Sequence, residues 1–171
     1  MNAKHPLLVR LLPLTADGLP WAAEVYHSNP GYCRLYMGQP DLTLEELAAE
    51  FRSLASLPGA RWRSIWAGNR LIGVAFLLLV SQSGDKSWLG RLLLHQDEQG
   101  KGYGRAAVQL LETEAAAQGV PSLHLGVIAE DEGSLRFWGK MGYEQYRLTR
   151  EMTGGQLREV LWLAKLIGGG D

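Results

Sequence analysis

Cysteine is almost missing from this chain: Cys33 is the single thiol among 171 residues. An intramolecular disulfide is therefore excluded, and a reducing compartment, the cytoplasm, is the expected location. An excess of either charge is missing too. Seventeen Lys and Arg face 18 Asp and Glu, leaving a net charge of −1. That balance supplies no drive toward nucleic acid or an anionic membrane, so neither is expected as a partner. Long apolar runs are also absent. The longest, Leu71 to Val80, is too short to cross a bilayer and reads as a buried strand. The apolar part of Met1 to Arg10 is too short for a signal peptide. No repeat, low-complexity tract or interdomain linker is present, and no metal site is expected. What remains is one domain, residues 1–171. Its 46% hydrophobic content and six Trp suffice for a substantial core.

Local patterns give the element order β-α-α-β-β-β-α-β-α-β-β. Leu7 to Leu14 reads as a strand and Asp17 to His27 as a helix, with Pro20 in its first turn. Ser28 to Asp41 holds Pro30, Gly31, Gly38 and Pro40 and reads as a loop. Thr43 and Glu46 form a capping box, and Leu42 with Leu47 a hydrophobic staple. The helix they open places Leu44, Leu47, Phe51 and Leu54 on one face and stops at Pro58-Gly59. Arg61 to Ala67 and Arg70 to Val80 form a hairpin around Gly68-Asn69. Ser87 to His95 is a strand. Tyr103 to Gln118 is a helix, stopped by Gly119 and Pro121. Leu123 to Ala129 is a strand, and Asp131 can cap a helix over Gly133 to Met141. Tyr143 to Glu151 and Gln156 to Ile167 close the chain as a hairpin around Thr153-Gly154-Gly155, before a flexible tail, Gly168 to Asp171. The strand-helix-strand step from Ser87 to Ala129 implies a right-handed parallel crossover in a mixed sheet.

The most informative stretch is Gln99-Gly100-Lys101-Gly102-Tyr103-Gly104-Arg105, between that strand and helix. Three glycines clear the backbone for close approach of a ligand. The unpaired N–H groups of the helix's first turn point outward with the positive end of the macrodipole behind them. Lys101 and Arg105 add full charges. The combination suits a phosphate or pyrophosphate. A P-loop would need Ser or Thr after Gly100-Lys101, and Gly102 stands there. A dinucleotide fingerprint fits Gly102 to Ala107 in pattern, with Glu130 at a tolerable distance for a ribose. The polar stretch His95 to Gln99 breaks the tight turn that fingerprint requires. A plain turn with incidental glycines is the bland alternative.

The stretch resembles motif A of the GNAT superfamily of N-acetyltransferases, Gln/Arg-x-x-Gly-x-Gly/Ala at a strand-to-helix junction. One helix and one strand later, Asp131-Glu132-Gly133-Ser134-Leu135-Arg136-Phe137-Trp138-Gly139-Lys140-Met141-Gly142-Tyr143 is similar to the family's motif B. The resemblance runs from about Trp88 to Tyr143. It implies an α/β (α+β) fold, a mixed central sheet of about seven strands flanked by about four helices. Residues 1–86 would form the acceptor side, 87–145 the cofactor motifs and 146–167 the closing hairpin. It implies acetyl-CoA as donor and direct transfer to an amine in a ternary complex. The pantetheine arm would pair with backbone of Leu92, Leu93 and Leu94 between two splayed strands. The Leu92 amide would hold the oxyanion. Gln99 through Arg105 would bind phosphates, and Asp131, Ser134, Phe137 and Trp138 would meet the cofactor from the next helix.

Two departures matter. Asp131 stands where the family has Asn, and its simplest reading is an N-cap. Trp138 stands where many members have Tyr, and an indole N–H does not release a proton near neutral pH. Trp138 therefore reads as a tunnel wall or a core residue, not as an acid. Tyr103 and Tyr143 match positions that are usually structural. The general base is unassigned: an alkylamine is only about 0.04% free at pH 7, and His95 and Glu130 are the candidates, each with an exposed loop role as its rival. No carboxylate lies in Ser87 to Leu94. Arg91, on that strand, faces solvent or an anionic part of the acceptor. Tyr32, Arg34 and Tyr36, in the 28–41 segment, are candidate acceptor contacts. The expected acceptor is a small amine, amino acid or peptide N-terminus, and the expected assembly a monomer or homodimer. A non-catalytic acyl-CoA-binding module and a dinucleotide-binding protein are the rival functions.

Overall fold

The structure, a computed structural model, describes residues 8–80 and 85–168. Leu7, the expected start of the first strand, and the tail from Gly169 to Asp171 lie outside the described residues. Among the described residues, seven strands form one sheet in the order β1-β2-β3-β4-β5-β7-β6. They are β1 (Val9–Pro13), β2 (Ala60–Ala67), β3 (Arg70–Leu78), β4 (Ser87–Leu94), β5 (Ser122–Ile128), β6 (Glu144–Thr153) and β7 (Gln156–Leu166). All neighbours are antiparallel except β4 and β5, which are parallel.

Among the described residues, five α-helices cover the sheet: α1 (Leu19–His27), α2 (Pro30–Met37), α3 (Leu44–Ala55), α4 (Tyr103–Ala117) and α5 (Glu132–Lys140). They divide the core into two layers. On one face Ala107, Val108, Leu111 and Ala115 of α4 and Trp138 of α5 pack with Leu77, Leu89, Leu123 and Val127. On the other, α1 to α3 bury Ala22, Val25, Cys33 and Leu47 against Trp62, Val74, Phe76 and Leu93. The α4 contacts recur at helical spacing, so one stripe of an otherwise polar helix suffices. Among the described residues, no helix is long and apolar enough to cross a membrane.

The expected hairpins and helix boundaries appear within a few residues. At α3, Thr43 Oγ1 accepts the Glu46 N–H at 3.1 Å and Glu46 accepts the Thr43 N–H at 2.8 Å, the reciprocal capping box. The reading of Ser28 to Asp41 as a loop is overturned: it contains α2. Pro30 occupies the first helical position, where a missing N–H costs nothing, and Gly38 ends the helix at φ 84°. The breakers therefore mark the ends of a short helix instead of its absence.

Candidate active site

The sheet opens between β4 and β5. These strands pair only at Ser87↔Leu123 and Trp88↔His124. Register shows which backbone groups face the resulting gap. On β5, Ala129 N–H donates to Glu159 O of β7, so Ile128 and Gly126 turn theirs away from β7, toward β4. On β4, His95 N–H donates to Ile72 O, so bonded pairs with β3 recur at Leu93 and Arg91. Leu92 and Leu94 therefore face the gap. Leu93 turns its groups to β3, which narrows the three expected backbone contacts to two. The register slips by one residue between Phe76 and Leu77, leaving Gly90 unmatched as a bulge just before this segment. A Cβ on Gly90 would stand 2.9 Å from the Phe76 ring.

Side chains around α2 bridge the open gap. Asn29, just ahead of α2, donates through Nδ2 to Leu94 O at 2.8 Å and Val25 O at 2.9 Å. Its Oδ1 accepts from Gln99 Nε2 at 2.9 Å, and Gln99 also donates to Leu94 O at 3.0 Å. At the other end of α2, the Tyr36 hydroxyl accepts the Ile128 N–H at 3.2 Å and donates to Asp131 Oδ2 at 2.8 Å. Asp131 Oδ1 accepts the Ser134 N–H at 3.2 Å, capping α5 as expected. Burial, then the Asp131 charge and hydrogen bond, push the Tyr36 hydroxyl well above the usual phenol range. Tyr32 stacks on Tyr36 with ring centroids 4.7 Å apart.

The glycine loop reaches the same place. Gly100 and Gly102 have φ of 74° and 90°, left-handed backbone that glycine adopts without strain. Gly102 opens α4 with no side-chain cap and no acid in the first turn. The first-turn N–H groups are left for a ligand. Lys101 does not point there; its Nζ meets Glu98 at 3.4 Å, and Arg70 meets the same carboxylate. At Gly104 a Cβ would stand 3.3 Å from Phe137.

These parts line one cleft of about 950 Å³. Leu92, Leu93 and Leu94 come from β4, and Gln99, Gly100, Gly102, Gly104 and Arg105 from the loop and α4. Asp131, Ser134, Phe137 and Trp138 come from α5, Glu130 from the end of β5 and Tyr32 from α2. Lys101, Tyr103, His95, Arg34, Tyr36 and Arg91 are not on its lining. Trp138 is only 8% exposed, with Phe137 and Tyr143 edge-on at 4.9 and 5.0 Å. Asn29, Gly31, Leu35 and Lys140 also line the cleft and were missed by sequence reasoning. Asn29 lies in the segment read as a loop, and nothing local reveals that its amide turns to β4.

The two base candidates are already engaged. His95 Nδ1 accepts the Asp97 N–H at 3.1 Å in its own turn. Glu130 pairs with Arg158 at 2.8 Å. Arg91 does not face solvent: its Nη1 bonds Glu50 at 2.9 Å and the Tyr26 hydroxyl at 3.1 Å beneath α1 and α3. Burial alone would lower the Arg91 pKa, but Tyr32, Tyr26 and the Glu50 carboxylate raise it, so the guanidinium stays charged. Arg34 is exposed on α2.

Comparison with curated proteins found no match. Among solved structures, an acetyltransferase from Thermus thermophilus is 26% identical, with a TM-score of 0.76 over 95% of this chain and 99% of that one. Ribosomal-protein-S18-alanine N-acetyltransferase from Escherichia coli is 17% identical, with a TM-score of 0.71 over 96% and 97%. Spermidine N-acetyltransferase from Vibrio cholerae, solved with CoA and spermine, is 16% identical, with a TM-score of 0.76 over 92% and 95%. The last two show likeness of fold alone. Residues 22–143, well over half of the chain, match the acetyltransferase (GNAT) family. The chain belongs to the GNAT family of acetyltransferases, enzymes that draw their acetyl group from acetyl-CoA.

Proposed function

We propose that this protein transfers the acetyl group of acetyl-CoA to a primary amine of a small molecule or peptide, directly, in a ternary complex. One observation carries the reading: the uncapped N-terminus of α4 and the gap-facing Leu92 amide open onto the same cleft. The residues fit the donor. First-turn amides after Gly102, with Arg105 beside them, suit a diphosphate. The backbone of Leu92 and Leu94 suits the amide-rich pantetheine arm, and Phe137 and Trp138 offer apolar walls. Acetyl-CoA supplies an activated acyl thioester. The Leu92 N–H is placed to stabilise negative charge on the acyl oxygen, and the cleft holds the two substrates together.

The acceptor side is α2, with Tyr32 on the lining. The two named N-acetyltransferases act on spermidine and on ribosomal-protein-S18 alanine, which favours an amine of either size. We place the protein in the cytoplasm, as a monomer or homodimer without nucleic-acid or membrane partners. A second reading is a non-catalytic acyl-CoA-binding module, favoured by Trp138, which brings no ionisable hydroxyl to the cleft. A thiol-release screen across amines separates the two. Release dependent on both substrates is expected; acetyl-CoA binding with no release for any amine overturns the enzymatic reading.

A further inference from the structure

We propose that Asp131 and Tyr36 form the proton-accepting pair of the acetyl transfer, Asp131 meeting the amine on the cleft lining and Tyr36 holding the carboxylate in place. This rests on the acetyltransferase reading and fills the role left open by His95 and Glu130.

Elimination points to the pair. Among the described residues, the carboxylates on the cleft are Glu130, Asp131 and Glu132. Glu130 is neutralised by Arg158 at 2.8 Å. Glu132 is 82% exposed and has Arg136 at 3.9 Å. Asp131 alone is joined to the gap, through Tyr36.

Geometry then assigns the roles. A tyrosine hydroxyl has one proton and two lone pairs. The proton goes to Asp131 and one lone pair takes the Ile128 N–H, so the hydroxyl anchors Asp131 Oδ2 while that oxygen keeps a lone pair for the amine. The Ile128 N–H faces the gap, which puts the Tyr36 oxygen on the β5 side of it. The Leu92 N–H enters from the β4 side. Leu92 lies four residues past Trp88, one of them used by the Gly90 bulge, and Ile128 lies four past His124. The two amides thus leave their strands within roughly one residue, about 3 Å, of the same height. An acyl carbon held at the Leu92 amide therefore has the Tyr36-bound carboxylate of Asp131 on the opposite, β5 side of the cleft.

The proton inventory closes. The bound ammonium gives one proton to Asp131 Oδ2, which passes it to water, and the freed nitrogen then forms a bond to the acetyl carbon and gives a second proton to the same carboxylate. The carbon–sulfur bond then breaks and Asp131 protonates the leaving sulfur. One proton has gone to water and one from nitrogen to sulfur, and no further reactant is needed. Burial and the Asp131 charge keep Tyr36 neutral, so its hydroxyl proton stays available to hold the carboxylate. Asn at position 131 could cap α5 but could not take the proton.

The test is a set of variants in the full-length protein. Tyr36→Phe and Asp131→Asn are each expected to lower kcat roughly a hundredfold, with both KM values and the calorimetric acetyl-CoA affinity within about threefold of wild type. Asp131→Asn retains the α5 cap, so a merely structural role would leave kcat intact. A hydroxylamine acceptor, mostly neutral at pH 7, is expected to shrink the defect to under about tenfold. In the free protein, the Tyr36 hydroxyl proton is expected as a protected low-field NMR resonance, lost in Tyr36→Phe and displaced in Asp131→Asn. Wild-type kcat in Asp131→Asn, or equal defects with hydroxylamine and a strongly basic amine, overturns the pair. A wild-type protein that turns over no amine instead sinks the acetyltransferase reading, and the pair with it.

Discussion

Asn29 and Gln99, seventy positions apart, share a hydrogen bond of 2.9 Å and a common acceptor, the Leu94 carbonyl. That junction ties the start of α2 to the end of β4 and the head of the glycine loop. Asn29 is 6% exposed, so its loss leaves buried groups short of partners. Asn29→Ala is expected to cost about 1–3 kcal/mol, read by denaturant unfolding. Acetyl-CoA affinity should fall in the same variant, because the loop loses its anchor; a destabilised protein with unchanged affinity would separate the junction from the loop.

The glycines of the loop should differ in how they fail. Gly102 sits at φ 90°, so Gly102→Ala is expected to strain the fold by about 1–2 kcal/mol. Gly104 has ordinary backbone, but its Cβ would crowd Phe137 at 3.3 Å. Gly104→Val is expected to block the cleft, with acetyl-CoA binding lost in calorimetry at a near-normal melting temperature.

Trp138 should behave as a wall. Trp138→Phe is expected to keep kcat within about threefold, since no proton leaves the indole. Trp138→Ala opens a cavity among Phe137 and Tyr143 and is expected to cost about 3–5 kcal/mol. Loss of turnover in a stable Phe variant would give the indole N–H a role.

Much of the fold was legible because its signals are local. The capping box at Thr43 and Glu46 satisfies donors three residues apart, and Gly68-Asn69 fixes its own hairpin. The glycine loop announced itself by what it lacks, side chains and an N-cap. Helix α2 was not legible: eight residues carry too little periodicity to outweigh Pro30 and Gly38 at its ends. The Tyr36–Asp131 bond spans 95 positions, and the Arg158–Glu130 pair depends on which face of β7 turns to the end of β5. Only the packed sheet brings such groups together.

Acid should loosen the protein partly through Glu114. Burial alone would raise its pKa, but the hydrogen bonds and charge of Arg63, joined by Arg61, outweigh it and hold the carboxyl below its ordinary 4.5. A carboxyl lowered on folding stabilises fully above its unfolded value, and that stability is lost as pH falls through the folded value. Glu114→Gln is therefore expected to flatten the stability profile below about pH 4.5, in urea melts at stepped pH. An unchanged slope would discount the Arg63 pairing.

The most direct test of the cleft is calorimetric titration of the wild-type protein with acetyl-CoA, with NAD as the control. Saturable one-site binding of acetyl-CoA, with none for NAD, is the expected result. No heat with acetyl-CoA, or equal binding of NAD, would contradict the assignment of the gap between β4 and β5 to the acetyl donor.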